Sequence, residues 1–203
     1  MSVALLIGNT LWVANDETAS LERLSRVEDG DGGACRYAQH KRFPLGDFLQ
    51  LPVPSPDDPA DMEEADVEGL ACGDGYPWLV GSHSLKRKNP KLDKGADKAR
   101  KQLAKVSSDG NRYLLARIPM VESEGTWILA RENSRDGRIR TATRLRGDDQ
   151  ANELIEALKK DEHLGAFIAI PGKDNGFDIE GLAVVGQRLF LGLRGPVLRG
   201  WAV

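Results

Sequence analysis

Cysteine is nearly absent from this chain: Cys35 and Cys72 are the only two among 203 residues. Two cysteines cannot build a disulfide scaffold and show no metal-ligand spacing, so a reduced compartment is the default. Long apolar runs are lacking too. No stretch approaches the roughly 20 residues that a membrane helix needs. The apolar opening from Met1 to Ile7 has no basic start and runs straight on into Gly8-Asn9, unlike a secretory signal. A cytoplasmic protein with no membrane partner is therefore expected. Nor does one sign of charge dominate: 28 Lys and Arg stand against 31 Asp and Glu, for a formal net charge of −3. Such a balance leaves no chain-wide footprint for nucleic acid, which is not expected as a partner. Aromatic residues are only 6%, yet with 40% hydrophobic residues the chain can bury one sizeable core.

What the chain does contain is a repeat. Asp66-Val67-Glu68-Gly69-Leu70-Ala71, a turn, and Trp78-Leu79-Val80-Gly81 return 112 residues later as Asp178-Ile179-Glu180-Gly181-Leu182-Ala183, a turn, and Leu189-Phe190-Leu191-Gly192. A weaker copy opens the chain, where Gly8-Asn9-Thr10-Leu11-Trp12-Val13-Ala14 aligns with the stretches beginning at Gly75 and Gly186. Self-similarity at long spacing marks a repeat architecture. Residues 3–15 read as a hairpin, with further strands at 20–26 and 35–43, and four short antiparallel strands make one blade of a β-propeller. Residues 51–65, rich in proline and acid, read as a connection between blades. The expectation is one all-β, propeller-like domain over 1–203. It has antiparallel four-stranded blades, about three to four in number with the last unfinished, and two short helical insertions.

The first insertion lies in the basic tract from Lys86 to Lys105, where Leu92, Ala96, Ala99, Leu103 and Val106 recur at helical spacing. It reads first as a solvated insertion, with an anion-binding flap as the alternative. The second lies within 149–163, with Asp148 or Asp149 as the N-cap. Arg112 to Ile118 and Thr126 to Ala130 read as outer strands of the second blade or the start of the next. Ala166 to Ile170 reads as a strand leading into the last repeat. Because the chain closes on Trp201-Ala202-Val203 with no fourth strand, an open sheet edge and self-association are expected.

Several strings carry a family likeness: Leu11-Trp12-Val13-Ala14-Asn15-Asp16-Glu17, Gly81-Ser82-His83-Ser84-Leu85-Lys86-Arg87, Pro171-Gly172-Lys173-Asp174-Asn175-Gly176-Phe177, and the stretches from Asp178 and Leu191. Through them nearly the whole chain resembles a bacterial family known as domain of unknown function 3616. The resemblance implies a β-propeller of unassigned role, and a chain that is the N-terminal part of a longer protein. The tetrapeptide Asp-x-Glu-Gly alone is similar to the start of inner strands in phytase-like and other calcium-dependent propellers. That likeness extends to Asp66, Glu68, Asp178 and Glu180 only.

Strand geometry places Asp66 with Glu68, and Asp178 with Glu180, on one face, because residues two apart share a side of the pleat. Carboxylates converging on an axis repel unless a cation or a basic side chain stands between them. Hard oxygen ligands suit calcium or magnesium rather than zinc, and calcium is expected; the alternative is that each acid caps a neighbouring backbone amide or pairs with Arg194, Arg199 or Lys173. Gly69 and Gly181 read as backbone crowding at the axis. Aligned on the turn glycine, Asp16, His83 and Arg194 share one place in three hairpins and are expected at one rim. Lys173, Asn175, Arg194 and Arg199 would add donors there for a phosphate or carboxylate ligand. Two functions stay open. One is a metal-dependent hydrolase of phosphate esters or lactones, with the four acids as calcium ligands and His83 as acid or base, although His83 reads first as a satisfied, hydrogen-bonded turn histidine. The other is a non-catalytic propeller that binds a protein or a small anionic ligand.

Overall fold

The computed structural model describes residues 2–27, 35–54, 56, 63–91, 93 and 95–198. Strands dominate. β1 (Val3–Ile7), β2 (Thr10–Ala14), β3 (Ser20–Val27) and β4 (Arg36–Pro44) form one antiparallel meander in that order. Alternation drives it: in β2, Thr10, Trp12 and Ala14 are buried while Leu11 and Val13 are only half-buried, the period of a strand with one face in the core. The second four-stranded sheet has the order β14-β9-β6-β5. It is built from β5 (Val67–Gly73), β6 (Tyr76–Gly81), β9 (Leu115–Arg117) and β14 (Thr143–Arg144).

Two excursions interrupt this second sheet. Between β6 and β9 lie β7 (Lys86–Arg87), α1 (Ala96–Leu103) and β8 (Val106–Ser107). Between β9 and β14 lie two separate hairpins, β10 (Met120–Ser123) with β11 (Thr126–Leu129), and β12 (Glu132–Arg135) with β13 (Arg138–Thr141). Thr126 to Leu129 thus belongs to a hairpin of its own, and the fourth strand comes from further along. The third unit is the hairpin of β15 (Asp178–Val185) and β16 (Arg188–Gly195), preceded by α2 (Glu153–Leu158). The result is an all-β, propeller-like and incomplete arrangement, two four-stranded sheets and four two-stranded ones among the described residues.

The three repeats are the three leading hairpins, and their first strands lie side by side, with β5 packed between β1 and β15. Close approach there explains Gly69: a Cβ on it would lie 2.6 Å from Leu182 Cβ and 2.9 Å from the Leu182 amide nitrogen. Gly181 has no such neighbour, since its Cβ would meet nothing nearer than Gly192 Cα at 3.8 Å. The crowding expected of both glycines therefore holds at Gly69 alone, because only β5 has a sheet on each side.

One core fills the space between the first two sheets around Trp12, Leu21, Phe43, Val67 and Leu79. The Trp12 and Phe43 rings stand 5.3 Å apart and tilted, a favourable aromatic geometry. A second cluster of Val80, Tyr113, Ile155, Phe177 and Ile179 joins the second sheet to β15 and α2. Ala166 to Ile170 is not a strand. A 3-10 turn spans Gly165–Phe167, and the Phe167 carbonyl accepts from both Ile170 N and Phe177 N. Local turn bonds therefore take the groups that a ladder would need. Residues 199–203, including Arg199 and the apolar end, lie outside the described residues.

Candidate functional site

At the ends of the paired inner strands a cleft of about 440 Å³ opens. Its acidic wall comes from the repeats. Asp66 and Glu68 stand at the start of β5, Asp178 and Glu180 at the start of β15, and Asp16 just beyond β2. The facing wall is basic: Lys86, Arg87 and Lys88 from β7 and its continuation, Arg112 from the turn before β9, and Lys173 from the turn before β15.

Two guanidinium groups hold most of the acids. Arg112 Nη1 lies 3.0 Å from Asp66 Oδ2 and donates to Ser84 Oγ at 3.1 Å, while its Nη2 donates to Glu64 Oε1 at 2.8 Å. Arg194 pairs with both Asp178 and Glu180. Burial pushes the Asp66 carboxyl upward against the Ser82 hydroxyl and Arg112, and it pushes Asp178 upward against Arg194. Asp178 Oδ1 is buried with no hydrogen-bond partner among the described residues. Glu68 differs from the other three acids: it forms no hydrogen bond or ion pair with any described residue. Burial, and then the charges of Glu180, Asp66, Asp16 and Asp178, raise it from 4.5 to about 7. A carboxyl near neutrality in a cleft is a candidate proton donor or acceptor.

Calcium was the cation suggested by this acid set. Among the described residues, no group of three or more His, Cys, Asp or Glu side chains could hold a metal ion. Arg112 and Arg194 already supply positive charge to three of the four acids, so the residues as placed form no ready cage. The orphaned Asp178 Oδ1 and the unpartnered Glu68 carboxyl are the cleft groups that would welcome a further donor or cation.

Compared with known proteins, the chain matches over residues 1–203 the family described as Protein of unknown function (DUF3616). The chain belongs to the DUF3616 family. No curated protein and no solved structure matches it.

Of the remaining sequence candidates, this DUF3616 chain brings Asp16, Lys173 and Arg194 to the cleft. Asn175 sits in the left-handed region at φ +68 and accepts from Val197 N at 2.7 Å, pinning the end of β16 rather than lining the cleft. His83 is fully buried on the far side of the strand end. Its Nδ1 donates to the Gly81 carbonyl at 2.8 Å, and its Nε2 accepts from Asn152 Nδ2 at 2.7 Å. Burial lowers it to about 4, against the Gly81 hydrogen bond, so the ring is neutral with both nitrogens engaged.

Turn geometry explains why His83 parts from Asp16 and Arg194. Gly8 and Gly186 occupy the first position of their two-residue turns, whereas Gly75 occupies the second, after Asp74. Asp74 and Gly75 both have positive φ, +49 and +77, as a type I′ turn requires. Counted from its turn, β6 is one residue ahead of the alignment, and a one-residue slip exchanges the two faces of a strand. Ser82 takes the cleft-side place and hydrogen-bonds Asp66, and His83 turns into the protein.

Sequence reasoning missed Arg112, Lys88 and Asn152. Arg112 stands 46 residues from the Asp66 it pairs with, and no local spacing signals such a bond. Asn152, and neither Asp148 nor Asp149, caps α2 by accepting from Ile155 N at 3.1 Å. Asp148 instead holds a turn, accepting from Gln150 N and Ala151 N. An Asn directly before Glu153 was the available signal.

Proposed function

We propose that the cleft binds a small anionic ligand, its anionic group against Lys88 and Lys173 and its hydroxyl or amino groups toward Glu68 and Asp16. The observation that carries this reading is which charges remain uncommitted. Six basic and six acidic side chains line the cleft, and four of the basic ones are paired: Lys86 and Arg112 with Glu64 and Asp109, Arg87 with Asp174, and Arg194 with Asp178 and Glu180. Lys88 and Lys173 have no such partner among the described residues. Because Glu68 is raised to about 7, only part of its negative charge is present at pH 7, which weakens the repulsion an anion would meet there. Ammonium groups without partners beside a partly protonated acid favour an incoming anion over a cation.

Calorimetry of the full chain with inorganic phosphate tests it. Phosphate should bind, and Lys173→Ala should weaken it by about three- to tenfold, the effect of one partly screened charge contact. Absence of binding, or binding indifferent to Lys173→Ala, would overturn the reading.

A second reading, hydrolysis of phosphate esters or lactones, is favoured by Glu68 alone. A carboxyl raised to about 7 has the proton affinity that acid–base catalysis near neutral pH needs. In that reading Glu68 takes the proton-transfer role first given to His83, whose nitrogens are both used inside the protein. Calcium would assist only by displacing Arg194 from Asp178 and Glu180. Turnover that Glu68→Gln abolishes while phosphate still binds would support it.

A further inference from the structure

The segment 86–105 carries nine basic and two acidic residues in a chain whose net charge is −3. It is tied to the cleft at its base and at its far end. β7 and β8 pair through Lys86 with Ser107 and Arg87 with Val106. Arg87 bonds Asp174 across the cleft mouth and also donates to the Leu103 carbonyl, so the C-terminal end of α1 sits on the rim. Leu103, Lys88 and Asn89 line the cleft itself. Only Ala99 of α1 is buried.

Lys91, Lys98, Arg100, Lys101 and Lys105 are all exposed. None of these five side chains makes a hydrogen bond or ion pair with another described residue. They extend outward the positive edge that Lys88 and Lys173 begin inside. Arg100 and Lys101 complement the C-terminal end of the α1 dipole, but like charges spaced along one short strap also repel one another. Repulsion of that kind is relieved by an anion long enough to reach from the cleft onto the strap.

From this placement we infer that the ligand class is an oligophosphate: a terminal phosphate sits in the cleft, and further phosphates lie along the strap's exposed basic residues Lys91, Lys98, Arg100, Lys101 and Lys105. The inference rests on the cleft being an anion site. The strap contains no aromatic residue, so it offers no platform on which nucleic-acid bases could stack. What it presents is charge alone, suited to bare phosphates, with guanidinium and ammonium donors for their oxygens.

The test compares three probes on the full chain by calorimetry at low salt: inorganic orthophosphate, inorganic tripolyphosphate and a single-stranded oligothymidine. Tripolyphosphate should bind about tenfold or more tighter than orthophosphate, because two or three exposed charge contacts are added. The advantage should shrink at physiological salt, where the screening length falls to about 8 Å. A triple variant, Lys98→Ala, Arg100→Ala and Lys101→Ala, should lose that advantage and keep orthophosphate binding unchanged. If the triple variant melts early, Lys105→Glu, outside the helix, provides the same comparison. Equal affinity for the two phosphates, or an advantage that survives the strap variants, overturns the inference while orthophosphate binding sensitive to Lys173→Ala leaves the cleft reading standing. Phosphate binding indifferent to Lys173→Ala overturns both. Oligothymidine binding tighter than tripolyphosphate overturns the ligand class.

Discussion

Replacing Glu68 by glutamine keeps the shape of the side chain and removes the one cleft carboxylate that has no partner. Its carboxyl is raised from 4.5 to about 7 by burial and by four neighbouring acids. The folded protein therefore holds a proton there that the unfolded chain releases above pH 4.5. Stability from this group is fully present below pH 4.5 and is lost as pH rises through about 7. The full difference between the two values corresponds to ~3 kcal/mol. Glu68 is only half-buried, and solvent screening reduces the effect to about 1 kcal/mol. A gain of that size raises Tm by ~2–4 °C in a domain of this length. Glu68→Gln should thus raise Tm by that amount at pH 8 and leave it unchanged at pH 4.5, read by differential scanning calorimetry at low ionic strength. A variant no more stable at pH 8, or equally stabilised at both pH values, would refute the view that Glu68 is held unpaired among like charges.

His83 gives the opposite acid limb. Its ring is depressed from 6.5 to about 4, so ~3 kcal/mol of stability present above pH 6.5 is lost as pH falls through about 4, and His83→Gln should flatten that limb in acid melting curves. Gly69→Ala should destabilise by ~1–3 kcal/mol in denaturant titration, since its Cβ would press on Leu182 between two packed strands. β16 leaves Phe190 53% and Leu193 41% exposed on a hairpin that pairs with no other strand among the described residues. Concentration-dependent association is expected in sedimentation, and Phe190→Lys should suppress it. If calcium displaces Arg194, melting in excess calcium should exceed melting in chelator, and Glu180→Gln should diminish the gain; equal melting in both would leave the acids as partners of arginine only.

The architecture was legible because hairpins carry local signals. Alternation in Thr10 to Ala14, turn glycines at 8, 75 and 186, and the duplicated Asp-x-Glu-Gly-Leu-Ala all act over a few residues, and each came out as a strand pair. The convergence of Asp66, Glu68, Asp178 and Glu180 in one cleft followed from the same repeat. What stayed hidden depended on register and on distance. The Asp74-Gly75 turn places its glycine second where the other two place theirs first, and that single step sent His83 into the core. Arg112 reaches Asp66, and Asn152 reaches His83, across 46 and 69 residues. The first pairing follows from the order β9-β6-β5 within the second sheet and the second from the packing of that sheet on α2, neither of which any window of the sequence displays. Likewise the fourth strand of that sheet, Thr143–Arg144, is two residues long and arrives after two complete hairpins, too short for periodicity to mark.

The central claim, that the cleft between the acidic strand starts and the basic strap is an anion site, is tested most directly by following backbone amides of the isotope-labelled full chain as inorganic phosphate is added. The account predicts saturable shifts at Lys88, Asn89, Lys173 and Asp174, absent in Lys173→Ala. Shifts confined to other surfaces, such as the groove between Arg146 and Lys159, or a spectrum unchanged by phosphate, would contradict it.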